Sequence, residues 1–366
     1  MDIKQALAKL IDRHDLTHEE MTAVMRLIMT GGATPAQIAG LLVALRMKGE
    51  TVTEIAAAAA VMRELARPVE LHDISDAVDI VDGTLDIPAP ARGEASRPTV
   101  DIVGTGGDAS STFNVSTASM FVAAAAGCHV AKHGNRSVSS HSGSADVLDA
   151  AGVRLDLDPA QVAHCVRECG VGFMFAPGHH GAMKHALGPR RELGVRTLFN
   201  ILGPLTNPAG VLNQVLGVFS QALLVPLAQV LQRLGSRHVM VVHSRDGLDE
   251  ISIGDTTEVA ELKDGEIHCF TLRPEDFGLA RAPLDAIRVT GPEDSLNLLK
   301  AVLDGQLGPA RDIVLLNAGA AIYVSGVTDS LAEGVRWAAA AVDSGEARNR
   351  FERLVALTQR FAPAAG

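Results

Sequence analysis

The sequence is poor in aromatic side chains, which make up 3% of its 366 residues, with one Trp and one Tyr. Proteins that bind nucleic acid usually stack bases on aromatic rings and carry basic surfaces. The formal net charge here is −11. We therefore expect no nucleic-acid partner, and an anionic ligand would need a local basic patch or a bound metal ion.

Cysteine is also scarce, with four residues in the chain. Cys165 and Cys169 are one helical turn apart, a spacing that suits neither a zinc knuckle nor a CxxC redox pair, so we interpret them as buried structural thiols. No apolar run reaches about 18 residues without a charge or a glycine, and we expect no membrane span. Residues 1–5 lack the layout of a signal peptide, which predicts a cytoplasmic protein.

The pattern of apolar residues predicts a helical domain over residues 1–80. Thr34-Pro35 is a start signal for a helix, and Thr53 is the predicted cap of a helix through 56–60. Residues 81–98 are rich in glycine and proline and predict a linker or a surface insertion. The helix after Thr34 has its apolar side chains at the spacing of one helical face: Ile38, Leu41, Leu42 and Leu45.

The rest of the chain alternates short β-type runs with helical material. This alternation predicts an α/β domain, formed by residues 99–157 and 193–366, with a parallel or mixed sheet covered by helices. Residues 158–192 interrupt the pattern with helical signal from Asp158-Pro159, and we expect them to join the N-terminal helices in space. The predicted strands lie at 100–103, 128–131, 239–242 and 313–317.

A glycine-rich loop, Gly104-Thr105-Gly106-Gly107-Asp108, directly follows the first of these strands. It has neither the Walker A ending nor the Rossmann spacing. We interpret it as a backbone cradle for phosphate oxygens, and the alternative is a tight turn between strand and helix. Asp108 favours the first interpretation, because a carboxylate beside phosphates must bind hydroxyls or reach a metal ion.

Two further segments could complete an anion site. Asn114 is a good N-cap, and Ser116-Thr117 adds hydroxyls and free amides in the first helical turn. The loop from Lys132 to Arg136 follows a strand and carries two permanent cations. Ordinary capping and a solvated loop are the simpler interpretations. Hydroxyl donors follow at Ser137, Ser139, Ser140, Ser142 and Ser144.

Carboxylates and a guanidinium supply the remaining candidates. Asp249-Glu250 follows a strand and could hold Mg²⁺ on a diphosphate, although two solvated acids would look the same. Arg190 could clamp a carboxylate with two hydrogen bonds. The histidines His179, His180 and His185 lack the spacing of a metal site, and we interpret them as structural or pocket-lining.

Taken together, these strings resemble the anthranilate phosphoribosyltransferase family of tryptophan biosynthesis over almost the whole chain. The resemblance implies a small α-helical domain joined to a larger α/β domain with a central mixed, mainly parallel sheet. It also implies a homodimer that associates through the helical domain. The matching strings are 44–51, 101–108, 113–117, 132–136, 142–148, 193–197, 199–208 and 249–250.

By the same resemblance, the substrates are phosphoribosyl diphosphate (PRPP) and anthranilate, and the cofactor is Mg²⁺. The implied metal ligands are Ser116, Asp249 and Glu250. Anthranilate would contact Gly104, Asn135 and Arg190, and no catalytic residue is implied beyond the binding and metal groups. The implied PRPP contacts are Gly104, Gly107, Asp108, Thr112, Asn114, Val115, Ser116, Thr117, Lys132, His133, Gly134, Asn135, Arg136, Ser137, Val138, Ser139, Ser140 and Ser144.

The chain departs from the family pattern near the acceptor. The family commonly has His-Pro where this chain has His180-Gly181, and Pro189 directly precedes Arg190. Two other functions remain open on the residues alone. A nucleoside phosphorylase would share the fold but needs no Mg²⁺, and Asp108, Asp249 and Glu250 count against it. A relative without catalytic activity could bind nucleic acid or a regulatory ligand, which the net charge opposes.

Overall fold

A computed structural model of the chain describes residues 1–71, 99–108, 110–137 and 142–361. The predicted linker at 81–98 lies outside the described residues, as do Val138, Ser139 and Ser140. Within the described ranges, every helix is too short or too polar to cross a lipid bilayer.

Four N-terminal helices each begin with a capping box. In each, the N-cap side chain accepts a hydrogen bond from the backbone N–H three residues later, and the side chain of that later residue accepts one from the N-cap backbone N–H. The predicted start at Thr34 is confirmed. The prediction of Thr53 as a cap is wrong: Thr51 is the cap, because Glu54 lies three residues after it and completes the pair. The helices are α1 (Ile3–Ile11), α2 (His18–Met29), α3 (Pro35–Lys48) and α4 (Val52–Glu64).

A seven-stranded sheet follows, in the order β3-β2-β1-β4-β5-β6-β7. The first five strands in this order are parallel, and β6 and β7 are antiparallel. The predicted mixed, mainly parallel sheet is thereby confirmed. Its strands are β1 (Thr99–Gly104), β2 (His129–Gly134), β3 (Val171–Phe175), β4 (Asn213–Gly217), β5 (His238–Ser244), β6 (Thr257–Lys263) and β7 (Glu266–Leu272).

Helices cover both faces of the sheet. Alternate strand residues enter different cores: Val215 and Met240 pack into one, whereas Leu216 and Val239 pack into the other with the N-terminal helices. The remaining helices are α5 (Val115–Ala125), α6 (Ser144–Ala150), α7 (Pro159–Cys169), α8 (Ala176–His179), α9 (Lys184–Leu193), α10 (Phe199–Leu202), α11 (Leu224–Arg233), α12 (Pro292–Leu303), α13 (Pro309–Val324), α14 (Leu331–Asp343) and α15 (Glu346–Thr358).

The predicted strand at 313–317 is wrong, because these residues lie inside helix α13. The helix passes through the core against α5 and α14, and most of its residues are buried. A short apolar run looks the same in a buried helix and in a buried strand. The sequence of this segment therefore has no periodicity that could distinguish a buried helix from a buried strand.

The segment 158–192 divides between two places. Helix α7 starts after Asp158 as predicted, but the next residues form strand β3 at the edge of the sheet. Only α9 packs against α2 and α3. The expectation that the whole segment joins the N-terminal helices is therefore wrong for residues 159–175, whose apolar strand pairs with β2.

Cys165 and Cys169 are free and buried on α7, as expected of structural thiols. Burial raises the pKa of Cys165 to about 12 and that of Cys169 to about 11. Both side chains therefore remain protonated and unreactive at neutral pH.

Candidate functional site

The candidate site lies at the carboxyl ends of β1, β4 and β5, where the chain leaves the sheet. From β1 the strand order runs to β2 and β3 on one side and to β4 and β5 on the other. In open α/β sheets, such a reversal of strand order leaves a crevice in which ligands bind. Gly104 and Gly217 end their strands side by side at this crevice.

The glycines at these strand ends make room for Asp249. A Cβ at Gly104 would collide with the Asp249 carboxylate, and one at Gly217 would collide with the Asp249 carbonyl oxygen. The backbone N–H of Gly106 donates to Asp249 Oδ2 at 2.7 Å. In this arrangement the Gly106 amide is engaged by a carboxylate, so the phosphate cradle predicted for the loop would have to rely on its other groups.

Asp249 is buried, and its neighbour Glu250 is partly buried. Burial, followed by the charge of Asp108, raises the pKa of Asp249 to about 7. Burial, followed by the charge of Asp249, raises the pKa of Glu250 to about 8, although Lys132 opposes this. Glu250 Oε1 accepts from the backbone N–H of Ser116 at 3.2 Å.

The donor set at this point fits Mg²⁺. The charges of Asp108 and Asp249 raise the pKa values of Asp249 and Glu250, respectively, so the site has an excess of negative charge that a cation would offset. A hydroxyl, Ser116 Oγ, lies at the same helix end. Over the described ranges, no three His, Cys, Asp or Glu side chains form a metal-binding group. Mg²⁺ usually takes only one or two carboxylates and completes its shell with phosphate oxygens and water.

The metal-free protein should lose stability as pH rises from about 4 to about 8, and Mg²⁺ should restore it. Both carboxyl pKa values are raised on folding, so the stabilisation is present below the unfolded pKa and is lost as pH rises through the folded value. The groups that face these carboxyls are Asp108, Lys132 and the amides of Gly106 and Ser116. Differential scanning fluorimetry should show a larger Mg²⁺-induced rise in Tm at the higher pH.

The control for this measurement is the Asp249→Asn, Glu250→Gln double variant, which keeps the shape of both side chains but cannot titrate. Its Tm should show no pH-dependent response to Mg²⁺. An equal Mg²⁺ response of the unsubstituted protein at both pH values would contradict the assignment of these carboxyls as ligands.

Lys132 links the elements around the site. Its side chain is 1% exposed, and its ammonium donates to the Ile102 carbonyl and, at 3.1 Å, to Ser116 Oγ. Burial lowers the pKa of Lys132, and the carboxylates of Asp101, Glu250 and Asp249 counteract this. Lys132 is therefore a buried cation beside a cluster of carboxylates, at the point where a diphosphate would enter.

Asn114 stands at the N-cap of α5, but its side chain does not cap the helix. Its Oδ1 accepts from Ser142 Oγ and from Ser295 Oγ, each at 2.8 Å. The capping interpretation is therefore wrong for this side chain, because two serines from distant segments occupy it. In the first turn of α5, the Ser116 N–H donates to Glu250.

The loop after β2 is tied to α6. Arg136 forms ion pairs with Asp146 at 3.0 Å and Asp149 at 2.8 Å, and Ser137 N–H also donates to Asp146. Burial lowers the pKa of His133 to about 3, so this ring is neutral at pH 7. The other predicted PRPP contacts lie in the segments that follow β1 and β2: Gly107 and Thr112 between β1 and α5, Val115 and Thr117 in the first turn of α5, and Gly134, Asn135 and Ser144 from the end of β2 to the start of α6.

Arg190 lies on α9, which carries Pro189 within the helix. Its guanidinium lies 5.2 Å from the centre of the Phe199 ring, and burial lowers its pKa. Within the described part of the chain, no carboxylate lies within ion-pair distance of it. A half-buried guanidinium without a counter-ion is a suitable group for binding a ligand carboxylate.

The chain matches known proteins over its whole length. It fits the model of the glycosyl transferase family, helical bundle domain, at residues 4–66 and that of the α/β domain at residues 96–348. An anthranilate phosphoribosyltransferase of Thioalkalivibrio sulfidiphilus is 61% identical over 98% of this chain and 99% of its own. The chain belongs to the anthranilate phosphoribosyltransferase family.

Solved structures of this family have the same fold. The Thermus thermophilus enzyme superposes with a TM-score of 0.86 and 46% identity, over 97% of this chain and 99% of its own. The Saccharomyces cerevisiae enzyme, solved in complex with PRPP and Mg, superposes with a TM-score of 0.83 and 26% identity over 98% of each chain. The resemblance derived from the sequence is therefore confirmed for family and fold.

The three histidines of this family member do not converge. His179 Nδ1 pairs with the Arg67 carbonyl at 3.1 Å, and His185 packs on Gly31 of the N-terminal helices. The ring of His180 lies 5.0 Å from that of His133. Each histidine therefore has its own neighbour in the protein.

Three side chains of the site were not predicted from the sequence. Asp101 and Asn207 belong to strings that match the family, but the sequence pattern assigns neither of them a role. Ser295 binds Asn114 from 181 residues away, and no local pattern points to it. A buried acid in the middle of an apolar strand, such as Asp101, is the one signal that could have been used.

Proposed function

We propose that the protein transfers the 5-phosphoribosyl group of PRPP to the amine of anthranilate and releases pyrophosphate. The observation that carries this proposal is the acidic pair Asp249, which is buried, and Glu250, which is partly buried, beside a glycine loop and the buried cation Lys132. A site of this composition suits a metal-bound diphosphate, because carboxylates and phosphates repel each other and can be buried together only with added positive charge.

Asp249, Glu250 and the hydroxyl of Ser116 would hold Mg²⁺. When bound, the ion supplies positive charge that stabilises the departing pyrophosphate. The ammonium of Lys132 lies beside the same groups and supplies a fixed charge from the protein itself. The proposed PRPP contacts are those implied by the family resemblance, from Gly104 along the edge of the sheet to Ser144.

The reaction breaks the bond between C1 of the ribose and the diphosphate oxygen, and the electron pair leaves with pyrophosphate. The lone pair of the anthranilate nitrogen forms the new bond to C1, and the nitrogen then loses a proton to solvent. An aryl amine is neutral at pH 7, so the site needs no strong base. Catalysis in this scheme consists of positioning and electrostatic stabilisation.

Arg190→Ala should raise KM for anthranilate by about 10–150-fold, since a charge-assisted hydrogen bond contributes about 1.5–3 kcal/mol. KM for PRPP should change by less than about threefold, because Arg190 lies outside the proposed diphosphate groups. Steady-state kinetics with each substrate varied in turn would measure both constants. Arg191→Ala is the matched control, because Arg191 is the next residue on α9 and is exposed.

Equal effects of Arg190→Ala on both Michaelis constants would show that Arg190 does not specifically bind the carboxylate of anthranilate. An effect of Arg191→Ala as large as that of Arg190→Ala would do the same, since it would reflect the charge of the helix rather than a specific contact.

The proposed function is tested by following anthranilate fluorescence with PRPP and Mg²⁺ present. Consumption of anthranilate with release of pyrophosphate, abolished by a chelator, is the expected result. A nucleoside phosphorylase would instead cleave nucleosides with phosphate and would keep its activity in chelator. No consumption of anthranilate by folded protein would contradict the proposal.

We also propose a homodimer formed through the helical domain, residues 1–80. Two apolar side chains of this domain support it: Ile11 at the end of α1 is 71% exposed, and Met47 on α3 is 70% exposed. Val43 lies one turn before Met47 and is 36% exposed. These three side chains are the candidates for the apolar contact of such a dimer.

A further inference from the structure

Strands β1 and β2 pair for only part of their length. Their register covers Thr99 with His129 and Val100 with Val130, and it ends there. On its other side, β1 remains paired with β4 as far as Gly104. Strand β2 likewise remains paired with β3 as far as Gly134. Backbone pairing between the carboxyl halves of β1 and β2 is therefore interrupted at the candidate site, although the two strands remain neighbours, and we call this unpaired stretch the slot.

Buried side chains bridge this slot in place of the missing backbone pairs. Asp101 Oδ1 accepts from the His133 N–H at 3.3 Å, and the Lys132 ammonium donates to the Ile102 carbonyl. The amide of Asn207 donates both to Asp101 Oδ2 at 2.8 Å and to the Ala131 carbonyl at 2.9 Å. Backbone groups left unpaired by this interruption are thus satisfied, as buried groups must be.

The bridging side chains are buried. Asp101 is fully buried, and Asn207 is 6% exposed. Asn207 is fixed in turn by its Oδ1, which accepts from the Ala209 N–H at 2.9 Å. A slot held by such groups can neither close into a regular ladder nor widen without leaving a buried polar atom unpaired, which is costly.

The same groups fix the two ends of Lys132. Its backbone lies next to the His133 N–H that Asp101 binds, and its ammonium lies between the Ile102 carbonyl and Ser116 Oγ. The loop that carries Asn135 and Arg136 leaves β2 directly afterwards. The geometry of the slot therefore determines where this cation and this loop stand relative to the diphosphate groups.

We infer that Asp101 and Asn207 are positioning residues for PRPP binding, which bridge the slot between β1 and β2 and so place Lys132 and the loop of Asn135 and Arg136 against the diphosphate. This inference rests on the proposed function for the identity of the donor. It assigns a role in binding PRPP to two residues that themselves do not contact it.

The test uses Asp101→Asn, which keeps the shape of the side chain but replaces an acceptor with a donor. KM for PRPP should rise and kcat should fall, each by about 10–100-fold, as is typical when a group that orients a ligand-binding residue is removed. KM for anthranilate should remain within about twofold. A purely structural role would instead lower Tm and leave both Michaelis constants of the folded enzyme unchanged.

Glu261→Gln is the matched control, because it makes the same chemical change in a buried carboxylate of the same sheet. Glu261 lies on β6 and pairs with His238 at 2.7 Å, at the amino end of β5 and therefore away from the site. Both Michaelis constants of this variant should equal those of the unsubstituted protein. An equal rise in KM for PRPP in this control would overturn the inference.

Asn207→Ala is the second variant, since it removes the bridging amide while Asp101 and Lys132 stay in place. It should show the same selective rise in KM for PRPP. Circular dichroism and Tm identify folded variants. If neither variant folds, the two residues serve stability alone and the inference is wrong.

Calorimetry separates this inference from the proposed function. The unsubstituted protein is titrated with pyrophosphate in the presence of Mg²⁺, and the Asp101→Asn variant is titrated in the same way. Weaker binding to the variant supports the positioning role even if the protein does not consume anthranilate. Equal binding by both proteins overturns it, whatever the result of the activity assay.

Discussion

Lys132→Met should lower kcat/KM for PRPP by about 10²–10³-fold, the range seen when one fixed donor to a developing negative charge is removed. Methionine keeps the length of the side chain but takes away the only cation that lies among Asp101, Asp249 and Glu250 in the described structure. These carboxylates would then have no positively charged group beside them. Leaving a buried charge unpaired costs about 3–5 kcal/mol.

Two results distinguish loss of a fixed charge from general destabilisation. KM for anthranilate should stay within about threefold, because Lys132 belongs to the donor side. Lys263→Met on β6 is the matched control: it removes an ammonium that binds the Tyr323 hydroxyl at 3.2 Å, far from the strand ends of the site. If both variants lost the same activity, Lys132 would have no specific role in donor binding.

Gly217→Ala should lower kcat by about 100-fold or more, the cost of displacing a reacting or metal-binding group by about 1 Å. The added methyl group would occupy the position of the Asp249 carbonyl oxygen, so the backbone that carries Asp249 and Glu250 must shift. Overpacking of this kind also destabilises by about 1–3 kcal/mol. The variant should therefore bind Mg²⁺ more weakly, which calorimetry with Mg²⁺ and pyrophosphate would measure.

Gly291→Ala is the control for this substitution. Gly291 has an extended backbone with φ of −179°, and a Cβ there would meet no atom within 4 Å. It should leave kcat unchanged, while Tm falls slightly because alanine is a poorer N-cap than glycine. Activity of Gly217→Ala at the level of this control would show that Asp249 does not depend on the close approach to β4.

Local sequence patterns predicted those features that depend on a few neighbouring residues. The start of α3 at Thr34 and that of α7 at Asp158 followed from an N-cap before a proline. The glycine loop after β1 was also predicted from a local pattern, and the family was identified from the resemblance of several such strings. The apolar run at 313–317 failed because burial on every side removes the periodicity that distinguishes a helix from a strand.

The sequence by itself determined the family, the N-caps of α3 and α7, and the residue types proposed for the candidate site. Only the tertiary structure decided how these residues meet: that Asp249 engages the Gly106 amide across 143 positions, and that Asn207 reaches Asp101 across 106. Such contacts depend on strand order and register, which place distant segments side by side. The slot between β1 and β2 follows from the same cause, because it begins where pairing between two strands stops.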